Sequence, residues 1–190
     1  MSPHAGYGNE DIYIYHRDRG GSKGGFRATE HDKREGFAIN DLEATAREIQ
    51  AWLFHDYVPA WVKAAIHKDG ESLTFQYCSV PMYWNAFGVN DWLTTEAAVR
   101  GVIDLQQRQL QDQHYDHTNV PDRRIVAYNE NGGAVDVIWS RVRSDESEVM
   151  HLVVHFEIAR LKGKGWRVIA VQSTDNSNKN ALNQVFAQLY

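Results

Sequence analysis

Between residues 42 and 65 the apolar positions recur at helical spacing: Leu42, Ile49, Trp52, Leu53, Tyr57, Val58, Trp61, Val62 and Ala65 share one broad face. Asn40 or Asp41 can cap the start of such a helix. Pro59 removes a backbone donor inside the pattern, so a kink near residues 55–58, or a break into two helices, is expected. Lys68-Asp69-Gly70 ends the helix in a turn, residues 73–77 (LTFQY) alternate as a strand does, and residues 79–90 read as an aromatic loop. Thr94 or Thr95 caps a second helix that runs through Ala98, Val99, Val102, Ile103 and Leu105 to Leu110, with Glu96 placed well against the helix dipole.

From Ile125 onward the period changes from helical to alternating. Residues 125–128, 134–143, 149–161 and 165–174 are strand candidates, separated by turns at Asn131-Gly132-Gly133, Ser144-Asp145-Glu146 and Lys162-Gly163-Lys164. The order helix, strand, helix, long antiparallel meander predicts an α+β domain over residues 39–176, in which a strongly bent sheet wraps the helices. Residues 1–38 carry little periodicity, and glycine and charge in RDRGGSKGGFR mark them as a flexible arm, although Ile12-Tyr13-Ile14-Tyr15 can dock on the body. Residues 177–190 form a tail with weak helical spacing.

Composition narrows the function classes. At 190 residues the chain has the size of one domain, and a formal charge of −5 supplies no global field for nucleic acid or an anionic membrane. Arg19-Gly20-Gly21 is too brief to read as an RNA-binding arm. No apolar run approaches a membrane span, and there is no secretory leader pattern, so a cytoplasmic protein is expected. Cys78 is the single cysteine, which excludes an intramolecular disulfide. His114-Tyr115-Asp116-His117 has too few ligands at useful spacing for a metal site, and no cofactor is expected.

The element order, together with Trp139-Ser140-Arg141 and the hairpin ending Gly163-Lys164-Gly165-Trp166-Arg167-Val168, resembles the nuclear transport factor 2-like superfamily and its SnoaL-like branch, over residues 40–176. The resemblance implies a cone with one open mouth. It leaves function open, because isomerases, dehydratases, epoxide hydrolases, cyclases, transport factors and oligomerisation modules share that fold. Ketosteroid isomerase chemistry needs two carboxyl groups where this chain has Val80 and Val153, which argues against that reaction.

The resemblance also implies that the residue nine positions before the hairpin tryptophan, Glu157, points into the cavity. His155 and Val153 would then line it as well, with Trp139 and Arg141 on the preceding strand and Ile169, Val171 and Ser173 on the last. Arg141, His155 and Glu157 become the candidate catalytic set, Arg141 holding an oxyanion and the other two sharing proton transfer. Tyr57, Trp61, Trp139, Val153, Ile169, Val171 and Ser173 are the candidate walls. A cross-strand ion pair in solvent is the bland alternative. The same parity leaves Met150, Leu152, Val154, Phe156 and Ile158 on the convex face, where such a stripe calls for a homodimer. The function expected is binding of a small, largely apolar molecule, extended by cofactor-independent acid–base catalysis (isomerase, hydrolase, dehydratase or cyclase). The alternative is a non-catalytic oligomerisation or protein-binding module.

Overall fold

The computed structural model describes residues 39–175; the expectations for the arm at 1–38 and the tail at 177–190 lie outside the described residues. The first helical stretch is continuous but not uniform. α1 (Ile39–Trp52) runs into a π-helical turn (Leu53–Tyr57), and α2 (Val58–His67) follows it. The Val58 N–H donates to the Leu53 carbonyl, one residue further back than in an α-helix. Pro59 sits in the first turn of α2, where a missing donor is tolerated. The kink expected at residues 55–58 is therefore a widened turn rather than a break.

Lys68 closes α2 in a left-handed conformation, with φ of 59°. Asp69 then caps α3 (Gly70–Tyr77), its carboxylate accepting from the Ser72 N–H at 3.0 Å. The strand expected at residues 73–77 is thus a helix. Leu73 and Thr74 are buried in it, while Phe75 stands 75% exposed. The cap and the packing of α3 on α4 outweigh a short alternation that suits either state.

The aromatic loop is likewise a hairpin, β1 (Cys78–Ala86) paired with β2 (Val89–Leu93). Phe87 and Gly88 turn the chain with φ of 54° and 80°, the left-handed pair that matches hairpin twist. Thr95 caps α4 (Glu96–Gln111) by accepting from the Ala98 N–H. The meander follows as β3 (His117–Asn129), β4 (Gly132–Val142), β5 (Glu148–Leu161) and β6 (Gly165–Asp175). The first half of β3 is polar and breaks register around Val120-Pro121, which an edge strand allows.

The six strands lie in the order β2-β1-β6-β5-β4-β3 and form a curled, unclosed sheet. Every neighbouring pair is antiparallel except β1 and β6, which run parallel. Its concave side packs on the helices. No described helix is long and apolar enough to cross a membrane.

Register decides which side chains enter the concavity, and it overturns part of the expected parity. Val135 faces Phe156, Val137 faces Val154 and Trp139 faces Leu152, and cross-strand neighbours share a side of the sheet. Leu152, Val154, Phe156 and Ile158 therefore belong to the core with Trp139. On the other side Asp136 faces His155, Ala134 faces Glu157 and Ile138 faces Val153. The hairpin explains the failure: Arg160 pairs with Trp166 and covers its ring at 4.5 Å, on the side where it also meets Glu48 of α1. Glu157 lies an odd number of residues from Arg160 and so points outward. The stripe that motivated a convex-face dimer is core.

Candidate functional site

Arg141 is the polar centre of the concavity. β4 carries it inward beside Trp139, and its side chain is only 3% exposed. The guanidinium lies 5.3 Å from the Trp61 ring, 5.3 Å from the Trp139 ring and 6.0 Å from Phe87. Ring faces partly compensate its charge, but no carboxylate pairs with it among the described residues, and its Nε has no acceptor. Burial pulls its pKa down to about 10, which leaves it protonated at neutral pH.

A cavity of about 20 Å3 adjoins Arg141, walled by rings. Tyr57 and Trp61 reach it from the π turn and α2, and Trp84 and Phe87 from the β1–β2 hairpin. Tyr57 packs edge-on to Phe156 at 5.7 Å, and Trp61 to Trp139 at 5.9 Å. The indole N–H groups of Trp61 and Trp139 are buried without acceptors, so three donors in this wall lack partners. Burial, then Cys78, pushes the Tyr57 hydroxyl far above the usual phenol range, against a smaller opposing effect of Arg141. The Cys78 thiol is pushed up to about 12 by burial, so neither group is an anionic base or nucleophile.

Of the candidate residues, Arg141, Tyr57, Trp61, Trp139, Val171 and Ser173 line this cavity. His155, Glu157 and Val153 do not: they occupy the convex face, so the expected convergence of Arg141, His155 and Glu157 is corrected. Ile169 falls at the bulge in β6, where Glu157 pairs with Ala170 and Ile158 with Val168, and it stays half-buried outside the cavity wall. Trp84, Phe87, Gln106, Val154 and Phe156 line the cavity and were not anticipated as site residues. Three of them follow from the reversed β5 parity and the unrecognised hairpin turn; Trp84 was visible only as part of an aromatic segment.

On the convex face His155 is clamped between two acids. Its Nδ1 lies 2.8 Å from Asp136 and its Nε2 3.1 Å from Glu157. The Asp136 hydrogen bond, then that of Glu157, raises its pKa to about 9 against the effect of burial. At neutral pH it is an imidazolium that donates at both nitrogens, with no lone pair left for base catalysis. No group of three or more His, Cys, Asp or Glu among the described residues could hold a metal; His117 pairs with Asp116 at 2.9 Å and lies 3.7 Å from Glu146.

Solved structures share this architecture. An NTF2-like protein with a cystatin-like fold from Novosphingobium aromaticivorans is 16% identical, with a TM-score of 0.53, covering 75% of this chain and 89% of its own. An NTF2-like superfamily protein from Salmonella enterica is 15% identical, with a TM-score of 0.52, covering 72% and 94%. A putative calcium/calmodulin-dependent protein kinase II association domain from Xanthomonas campestris is 10% identical, with a TM-score of 0.51, covering 70% and 88%. At such identities the likeness is one of fold alone. A search of curated protein sequences finds no match. The family described as NTF2-like protein (DUF6841) matches residues 47–176, and with the curled sheet and its helices already described, the chain belongs to that family.

Proposed function

We propose that the cone binds a small, largely apolar organic molecule bearing one anionic oxygen group, held by Arg141. The observation that carries this reading is a nearly fully buried guanidinium with ring neighbours and no acid. An uncompensated charge in low dielectric gains most from a counter-anion, and the orphaned Trp61 and Trp139 N–H groups supply further donors. No carboxylate or imidazole lines the cavity, so binding rather than acid–base turnover fits the wall. The empty cavity is far smaller than usual ligand sites of about 300–1,000 Å3. Entry therefore requires a wall residue to move, and Phe87, half-buried at the hairpin tip, is best placed to do so.

Titration followed by tryptophan fluorescence tests this with matched pairs, benzoate against benzamide and hexanoate against hexanamide. The acid is expected to bind at least about tenfold more tightly than its amide. Arg141→Met is expected to remove that preference. Equal binding of acid and amide to the unaltered chain defeats the reading.

A second reading, an association module, is favoured by how completely aromatic rings fill the cavity. The Xanthomonas structure described as a putative association domain is consistent with it. The expected homodimer belongs to this reading, although its apolar stripe is core. Sedimentation of the 21.8 kDa chain as a monomer at high micromolar concentration would rule out self-association.

A further inference from the structure

Away from the cone, α2, α3 and α4 enclose a polar cleft of about 280 Å3. Its frame is set by the packing of α3 on α4. A Cβ on Gly70 would lie 2.1 Å from the Asp104 carboxylate and 3.3 Å from Ile103 Cγ2, so a larger residue at the start of α3 would push the Asp104 side chain aside. One turn beyond the cleft's centre, the Gln111 amide donates to the Ala65 carbonyl at the end of α2 and ties the helices together.

The charges in the cleft are unequally committed. Arg100 holds Glu71 at 2.7 Å and Asp104 at 3.4 Å, and Asp69 is engaged in capping α3. Lys68 and Arg108 line the same cleft, and neither has an acidic partner among the described residues. Between them on the α4 side lies Gln107, 2% exposed, whose Nε2 has no acceptor. A buried donor left unpaired costs about 1–3 kcal/mol. Gln107 is itself one of the residues that line the cleft.

We propose that this cleft is a second binding site, for a small oxyanion (a carboxylate or phosphate on a hydroxylated body). A rotation of the Gln107 side-chain amide brings its Nε2 to an oxygen at the buried end, and Lys68 and Arg108 neutralise the charge at the mouth. The acids Glu71 and Asp104 remain held by Arg100, and they limit the site to compact ligands of low charge. It shares no lining residue with the Arg141 cavity.

Calorimetric titration of the full chain with inorganic phosphate, glycerol 3-phosphate and lactate, and with glycerol as the uncharged control, tests the proposal. At least one anion is expected to bind saturably, and glycerol is not; the preferred anion identifies phosphate or carboxylate as the head group. Gln107→Leu and the surface double variant Lys68→Ala/Arg108→Ala are each expected to weaken that binding at least about tenfold. The unliganded Gln107→Leu protein should melt no lower than the unaltered chain, because an orphaned donor is replaced by an apolar group of similar size. If Gln107→Leu fails to fold, the double variant decides. The proposal is overturned by an absence of saturable anion binding, by equal binding of glycerol, or by anion binding that survives both sets of substitutions. Anion binding lost only on Arg141→Met would place it in the cone instead and overturns the proposal too.

Discussion

Arg141 and His155 show how differently two cations are treated on opposite sides of one sheet. Arg141 has rings but no acid, so its removal should relieve more than it removes. Arg141→Met is expected to raise unfolding stability in urea by about 1–3 kcal/mol in the absence of ligand. A loss of that size instead would show that stacking on Trp61 and Trp139 dominates. His155 is held between Asp136 and Glu157, and Arg124 faces Asp136 from β3 while Gln172 faces the imidazole from β6. Its folded pKa of about 9 lies above the unfolded value of 6.5. The clamp therefore stabilises fully below pH 6.5, and its contribution is lost as pH rises toward 9. Urea midpoints of the unaltered chain should fall between pH 6.5 and 9.5, and those of His155→Gln should fall less; parallel curves would refute the clamp. The parity that the resemblance implies for Glu157 also assigns Arg141 to the cavity, and the register sets the two on opposite sides of the sheet. That parity misplaces His155 and Glu157 because their side depends on hairpin length, which residue types do not encode directly.

At the level of elements, the longest periodic segments were legible and the short ones were not. α4 and the strands after Gly132 follow from repeated spacing and glycine turns, whereas α3 is set by one cap, Asp69, and by its contact with α4. The β1–β2 turn was hidden by Phe87, since a bulky side chain rarely takes φ of 54°. That conformation predicts a gain: Phe87→Gly should stabilise the hairpin backbone, while loosening the cavity mouth enough to speed ligand association in stopped-flow fluorescence. Unchanged association rates would mean that Phe87 does not gate entry. Gly133 is constrained in the opposite sense. A Cβ there would meet the Val126 carbonyl at 2.4 Å and Ile49 Cδ1 at 2.8 Å, where α1 presses on the start of β4. Gly133→Ala should cost more than about 2 kcal/mol in thermal or urea unfolding, as overpacking of rigid neighbours does. A cost under about 0.5 kcal/mol would show that α1 can move away.

Across the whole molecule, the α+β class and the meander were readable, because strand period and turn chemistry agree from Ile125 onward. The sheet order was not, since nothing local tells β6 to insert beside β1 rather than leave β5 at an edge. That insertion has a consequence for synthesis. Among the described residues, β6 is the only strand that joins the β1–β2 hairpin to the β3–β4–β5 meander, and it is the last of these six to be made. Until its residues clear the ribosome, β1 and β5 each present an unpaired edge, and the apolar faces of two unjoined half-sheets stay open to other chains. A nascent chain stalled before Gly165 should thus be captured by chaperones and cleaved by protease throughout, whereas one stalled far enough beyond Asp175 for β6 to emerge should become resistant in a single step.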